Sequence, residues 1–155
     1  SFPTRRSSDL LNSPLLSIHV SIIMMSYALL SLTFISAIAY FFTRNSKRES
    51  VISVNKQLTD LSQIFLYPAI TTLGLGIFIG AIWANISWGT YWGWDPKETW
   101  ALITFLIYAI PLHTNSLPAL RKPKNYHFFM LLSFLSILMT YFGVNYILGG
   151  MHSYA

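Results

Sequence analysis

Four apolar stretches separated by polar segments dominate the pattern of the chain. They run from about 15 to 42, 61 to 84, 99 to 112 and 127 to 148. About 20 apolar residues are needed to cross a bilayer as a helix. Lipid offers no partner for free backbone groups, so each stretch should be helical. The third is the shortest, and Pro111 near its end should bend or stop it. The pattern predicts an all-α, polytopic transmembrane helix bundle with about four spanning helices and an external Trp-rich loop.

The composition agrees with a membrane protein. Only 10% of the 155 residues are charged, whereas a soluble domain carries roughly a quarter, so lipid must cover much of the surface. The chain has no cysteine, which excludes disulfides, zinc–thiolate sites and iron–sulfur clusters. Histidine, methionine, carboxylates or aromatic packing must therefore hold any metal or cofactor. The net charge of +5 does not indicate nucleic acid, because the positions of the basic residues follow membrane topology.

The basic residues lie in alternate loops. Those after the first and third spans are Arg44, Lys47, Arg48, Lys56, Arg121, Lys122 and Lys124. The loop between the second and third spans carries only Lys97. The positive-inside rule then places the two basic loops on one side. The Trp-rich loop faces the opposite, lumenal or periplasmic compartment. The stretch 51–63 could form a short interfacial helix.

Residues 1–10 differ in character from the rest of the chain, since they are polar and basic and show no apolar period. We interpret them as a leader, an artefact or a scar, and residues 11–155 as one transmembrane domain. Arg5 and Arg6 oppose the predicted orientation, but they fall within this leader. The chain does not begin with Met, and we expect it to be a fragment.

All five tryptophans lie between Trp83 and Trp100. Tryptophan favours the membrane interface, so an aromatic belt is one interpretation. The density of tryptophans on one loop, with glycines between them, favours a second interpretation: an aromatic shelf for a large planar hydrophobic cofactor.

Asp95 is the last residue of this loop, and its role can be interpreted in two ways. Asp95, Pro96 and Glu98 fit a capping box at a helix start. A role for Asp95 in contacting the ligand is the alternative.

Two histidines should lie at the same membrane face as the Trp-rich loop. His19 is near the outer end of the first span, and His152 follows the fourth. A single interfacial histidine is usually a polar anchor, but two beside an aromatic shelf suit bis-histidine ligation of haem iron.

His113 should lie toward the other face, roughly 27 Å from Asp95 at helical rise. It is either a functional residue at membrane depth or a helix-end histidine reaching the interface. His127, beside Tyr126, is interpreted as an interface residue without a role.

The run WGTYWGWDPKETWALIT from Trp88, followed by LIYAIPLH to His113, resembles the tryptophan-rich WWD signature of haem-handling membrane proteins. It is most similar to the CcsA family of cytochrome c biogenesis, the system II family of plastids and many bacteria. The segments HVSIIMMSYA from His19 and MHSY from Met151 resemble the same family. The resemblance covers about residues 11–155.

The resemblance implies a component of a cytochrome c synthase complex rather than a stand-alone enzyme. It implies that b-type haem, bound non-covalently as substrate, is presented to apocytochrome c with a CcsB-like membrane partner in a thylakoid or bacterial inner membrane. His19 and His152 would be the axial ligands, and Trp88, Trp92, Trp94 and Asp95 would contact the haem.

The resemblance also implies that His113 belongs to an internal haem site, whose second histidine comes from a segment absent here. Pro111 departs from the aromatic residue expected there. We therefore expect a truncated family member. The alternatives are CcmC-type delivery of haem to a chaperone, a transporter of haem or another amphipath, and a structural membrane subunit.

Overall fold

The computed structural model of the chain describes residues 13–148. The leader at residues 1–10 and the predicted ligand His152 lie outside this range. The described part contains α1 (Pro14–Thr43), α2 (Glu49–Trp88), α3 (Pro96–Ala109) and α4 (Pro123–Leu138). Two 3-10 turns, Ile110–His113 and Pro118–Arg121, connect α3 to α4, and α4 continues directly into a π-helix, Met139–Leu148.

Three of these helical segments are long and apolar enough to cross a membrane: α1, α2 and Pro123–Ile147. The third predicted span is formed by the 14 residues of α3 and the four of the following 3-10 turn. At about 1.5 Å and 2.0 Å per residue these reach roughly 29 Å, close to the hydrocarbon thickness. Regular α-helix stops at Ala109, and Pro111 lies in the 3-10 turn, as predicted from the proline. The predicted all-α transmembrane bundle is confirmed.

Helix α2 is longer than the second apolar stretch. It has 40 residues, or about 60 Å, twice the thickness of the hydrocarbon core. Residues 51–63 form its first turns and are therefore not a separate interfacial helix. The helix ends where Gly89 adopts φ 81°, and the Gly89 N–H donates to the carbonyl of Asn85 at 2.9 Å. Glycine suits this left-handed position because it has no Cβ.

The core lies between α1, α2, α3 and α4. Leu30, Leu73, Tyr108 and Met130 are all 0% exposed. Where α1 crosses α2, the Ser26 hydroxyl donates to the carbonyl of Ala69 at 2.8 Å. Many large apolar side chains instead point outward, as Phe78 does at 72% exposure, which is the surface expected of helices surrounded by lipid.

The helices run in alternating directions and give the bundle two distinct ends. We call the end with the 89–95 loop the Trp end, where His19 contacts Gly76 of α2. We call the other the basic end, where Thr59 of α2 contacts His127 of α4. The connections from α1 to α2 and from α3 to α4 lie at the basic end and carry most of the basic residues. Lys56, predicted to lie in a loop, is in α2, and Lys124 is in the first turn of α4. The compartments that the two ends face remain predictions.

Candidate functional site

The loop at the Trp end is tied to the first turn of α3 by two carboxylates. Asp95 is the N-cap, and its side chain accepts from the backbone N–H of Lys97 at 3.2 Å. The Glu98 carboxylate accepts from the N–H groups of Gly93 at 2.9 Å and Asp95 at 3.3 Å. The predicted capping box is confirmed. Its effect is to hold the loop against α3, because both carboxylates satisfy backbone donors that helix starts leave unpaired.

Two edge-to-face pairs of tryptophans lie at the Trp end, one at the end of α2 and one in the loop. Trp88 packs against the buried Trp83 with ring centroids 4.9 Å apart. Trp92 and Trp94 lie 5.8 Å apart. Trp94 is 70% exposed and has φ 55°, a left-handed conformation that bulky residues rarely adopt. The strained backbone turns this large ring out of the protein, where a ligand, lipid or another protein can contact it.

His19 is held from two sides by α2. Its Nδ1 lies 2.8 Å from the carbonyl oxygen of Gly76. A carbonyl can only accept, so Nδ1 carries the proton and Nε2 is the basic nitrogen. The ring also packs on Gly80, where an added Cβ would lie only 2.6 Å from Cε1 of His19. No local pattern in the sequence indicates that a histidine of the first span packs on these glycines of the second.

An apolar cavity of about 190 Å³ joins His19 to the loop and to α3. Its wall includes His19 of α1, Gly80 of α2, Trp92 of the loop, and Lys97 and Glu98 of α3; the π-helix contributes Thr140 and Tyr141. Of the loop residues predicted to contact a cofactor, Trp92 is the one in this wall, while Trp88 packs on Trp83 and Asp95 caps α3.

Lys97 brings a positive charge to this cavity. Its ammonium group donates to the side-chain oxygen of Asn145, in the π-helix, at 3.1 Å. Helix α3 and the π-helix are therefore linked by a polar contact at the edge of an otherwise apolar wall.

His113 lies far from this cavity, at the basic end. It is exposed, and its Nδ1 contacts the carbonyl of Ala109 at 3.0 Å within its own helix. The prediction that His113 lies on the other side from the loop agrees with this position. Its predicted role in an internal haem site stays a prediction.

His127 is the histidine that sequence reasoning assigned least well. It was interpreted as an interface residue, yet it is 0% exposed. Its Nε2 lies 2.9 Å from the hydroxyl of Thr59, and its ring stacks on Tyr40 at 4.3 Å. The Thr59 hydroxyl itself donates to the carbonyl of Asn55, so it accepts from His127. One sequence feature could have indicated this buried cluster: three residues lie at the same end of adjacent spans, namely Tyr40, Thr59 and His127.

The part of the chain between residues 13 and 148 contains no group of three or more His, Cys, Asp or Glu that could hold a metal ion. This does not bear on axial ligation of haem, which needs only one or two imidazoles. The second predicted ligand, His152, lies outside the described residues, and its pairing with His19 stays a prediction.

Fold and site together define a class: helical membrane proteins with a Trp-rich loop above an apolar cavity that contains a histidine. Comparisons with known proteins identify the group within this class. The model of the family described as cytochrome C assembly protein matches residues 1–152. The chain belongs to this family. The match includes the first ten residues, and a domain boundary at residue 10 stays a prediction.

Individual relatives agree with the family. Protein NrfI of Wolinella succinogenes is 45% identical over an alignment of 147 residues that covers 90% of this chain and 16% of that protein. The cytochrome c biogenesis protein CcsA of Solanum bulbocastanum is 44% identical over 116 residues, 75% of this chain and 36% of that protein. CcsA of Cyanophora paradoxa is 46% identical over 105 residues, which cover 68% of this chain and 32% of that protein. The chain thus spans about a third of the length of these CcsA proteins and a smaller share of NrfI.

Proposed function

We propose that this protein binds haem in the cavity at the Trp end and presents it for covalent attachment to apocytochrome c. The observation that carries the proposal is the shared cavity of His19 and Trp92. A histidine ligand to a metal usually donates its second ring nitrogen to a carbonyl or carboxylate. The contact between Nδ1 of His19 and the Gly76 carbonyl has this form, so Nε2 would be the nitrogen that binds iron.

The aromatic residues would supply the surface for the macrocycle. The cavity of about 190 Å³ is smaller than the roughly 300–1,000 Å³ typical of ligand sites, so one edge of the macrocycle would enter it. Trp92 would contact that edge, and the exposed ring of Trp94 would cover part of the remainder. Trp88 and Asp95 would act by supporting the loop, through Trp83 and through the capping box.

Haem would be a substrate of b type that is bound without a covalent bond, and the chain would act within a synthase complex. His152 would supply the second axial ligand, and His113 would belong to a separate internal site. The CcsB-like partner, apocytochrome c and the thylakoid or bacterial inner membrane belong to this proposal. Relatives that are named CcsA favour this function over CcmC-type delivery to a chaperone.

The test is the absorption spectrum of the protein purified in detergent and titrated with haem. We expect a six-coordinate, bis-imidazole spectrum that is lost in His19→Ala and in His152→Ala and is restored by added imidazole, because exogenous imidazole can replace a missing axial ligand. Lys124→Ala is the control, since Lys124 is exposed at the basic end and the substitution should leave the spectrum unchanged. A spectrum unchanged by both His19→Ala and His152→Ala would contradict the proposal.

A further inference from the structure

The basic end of the bundle carries an excess of exposed cations. Within the described residues the acidic side chains at this end are Glu49 and Asp60, both exposed. The cations are all exposed as well: Arg44, Lys47, Arg48, Lys56, Arg121, Lys122 and Lys124. The positive-inside rule explains why cations collect on one side of a membrane, but it does not require them to lie at one depth. Their depth in the bundle is therefore separate information.

Three of these cations lie at one level on three helices. The ring of His127 in α4 stacks on Tyr40 of α1 and contacts Thr59 of α2, so these three residues mark a common level. About one helical turn further toward the basic end, each of the three helices has a cation, and we call this group the cation level: Arg44 directly after α1, Lys56 in α2 and Lys124 in α4.

The cation level marks the edge of the apolar part of the bundle. Helix α1 contains no Asp, Glu, Lys or Arg, and Arg44 is the residue that follows it. After Lys124, α4 and the π-helix also contain none of these residues. Phe42, two positions before Arg44, is 86% exposed, which suits contact with hydrocarbon. Cations that lie directly beyond exposed apolar helices are at the depth of lipid headgroups.

Other cations of the basic end differ from these three in contacts or in depth. The Arg121 guanidinium donates to the carbonyls of Thr114 at 3.1 Å and Asn115 at 2.7 Å, so it helps to fix the connection between α3 and α4. Arg48 is the N-cap of α2 and lies about 12 Å further along that helix than Lys56. This distance exceeds the Debye length of about 10 Å at 0.1 M salt, so Arg48 should interact only weakly with charges at the cation level.

We propose that the cation level binds the phosphate groups of anionic lipids in the membrane leaflet at the basic end. Arg44, Lys56 and Lys124 would contact headgroups from three sides of the bundle, and Phe42 would pack against the acyl chains below them. An acidic surface of another protein is the alternative. Lipid is favoured because the cations lie at the edge of an exposed apolar surface, which lipid already surrounds. The proposal goes beyond haem binding and does not depend on it.

The experiment titrates the detergent-purified protein with phosphatidylglycerol and with phosphatidylcholine of the same acyl chains, and counts bound lipids by native mass spectrometry. We expect a preference for phosphatidylglycerol that weakens as salt is raised, because salt screens exposed charges. Each of Arg44→Gln, Lys56→Gln and Lys124→Gln should lower this preference about fivefold, which corresponds to about 1 kcal/mol for one cation near an anionic membrane surface.

The matched control is Arg48→Gln, which removes the same charge from the same helix as Lys56→Gln but about 12 Å away, and which should keep the preference. Thermal unfolding with phosphatidylcholine alone should be the same in all four variants, because every substituted side chain is exposed. This measurement shows that the variants are folded.

Three results would overturn the proposal. Equal binding of the two lipids by the unmodified protein would leave an acidic protein surface as the partner of these cations. Equal losses in Arg48→Gln and Lys56→Gln would show that net charge matters rather than the cation level. Stronger displacement of phosphatidylglycerol by inorganic phosphate than by acetate at equal ionic strength would indicate a site for a free anion. None of these results involves haem, so they are distinct from a failure of the proposed function.

Discussion

Replacing Gly80 with alanine tests whether α2 positions the imidazole of His19. The new Cβ would lie 2.6 Å from Cε1 and 2.9 Å from Nδ1 of His19, where ordinary contact begins at 3.4 Å. The ring must therefore move by about 0.8 Å to reach ordinary van der Waals distance. That movement disturbs the 2.8 Å contact between Nδ1 and the Gly76 carbonyl. Loss of such outer contacts of a metal ligand typically costs 10- to 100-fold in affinity.

The assay is haem titration followed by absorption, together with thermal unfolding. Gly74→Ala is the matched control, because it makes the same substitution in α2 but its Cβ would meet Phe105 at 3.2 Å rather than His19. We expect Gly80→Ala to bind haem at least about tenfold more weakly than Gly74→Ala, with a changed spectrum and a similar unfolding temperature. Equal affinity and identical spectra in the two variants would refute the argument that Gly80 sets the position of His19.

Two further predictions concern stability at the two ends of the bundle. Asp95→Ala should lower the free energy of unfolding by about 1 kcal/mol, because it removes the N-cap of α3. Asp95→Asn should lower it much less, because asparagine is also a good N-cap residue. Thermal unfolding measures both variants, and equal losses of stability would contradict the capping role. Thr59→Val should cost about 1–3 kcal/mol, because it leaves the buried Nε2–H of His127 without its acceptor. Thr71→Val, at an exposed position of the same helix, is the control for denaturant unfolding, and a similar loss in both variants would show that the His127 contact is worth little.

Features set by neighbouring residues were predicted well from the sequence. The first span was expected at about 15–42 and is Pro14–Thr43. The capping box followed from the local order of Asp95, Pro96 and Glu98, and the end of α3 followed from Pro111. Each depends on backbone chemistry within one or two turns, which the sequence displays directly.

Contacts between distant residues could not be predicted in this way. The partner of His19 is a backbone carbonyl 57 positions away, and any residue type would provide the same atom. The place of His127 at the start of the fourth span, beside Tyr126, predicts an interface residue, because the apolar pattern of the second span begins only near residue 61 and does not include Thr59. Helix α2 begins at Glu49, and its first turns bring Thr59 to His127. The π-helix that carries Asn145 also has no local pattern that distinguishes it from an α-helix.

The exposed residues around the Trp-end cavity determine how a ligand can reach it. Val20 and Met24 of α1 and Tyr141 of the π-helix line the cavity while staying 47%, 49% and 44% exposed. All three side chains belong to the apolar helices, so we expect the opening to face the hydrocarbon rather than the aqueous side. The Glu98 carboxylate fixes the 89–95 loop against α3, because it accepts from backbone N–H groups of the loop. We therefore expect an amphipathic ligand to enter the cavity laterally from the bilayer, without any movement of the 89–95 loop.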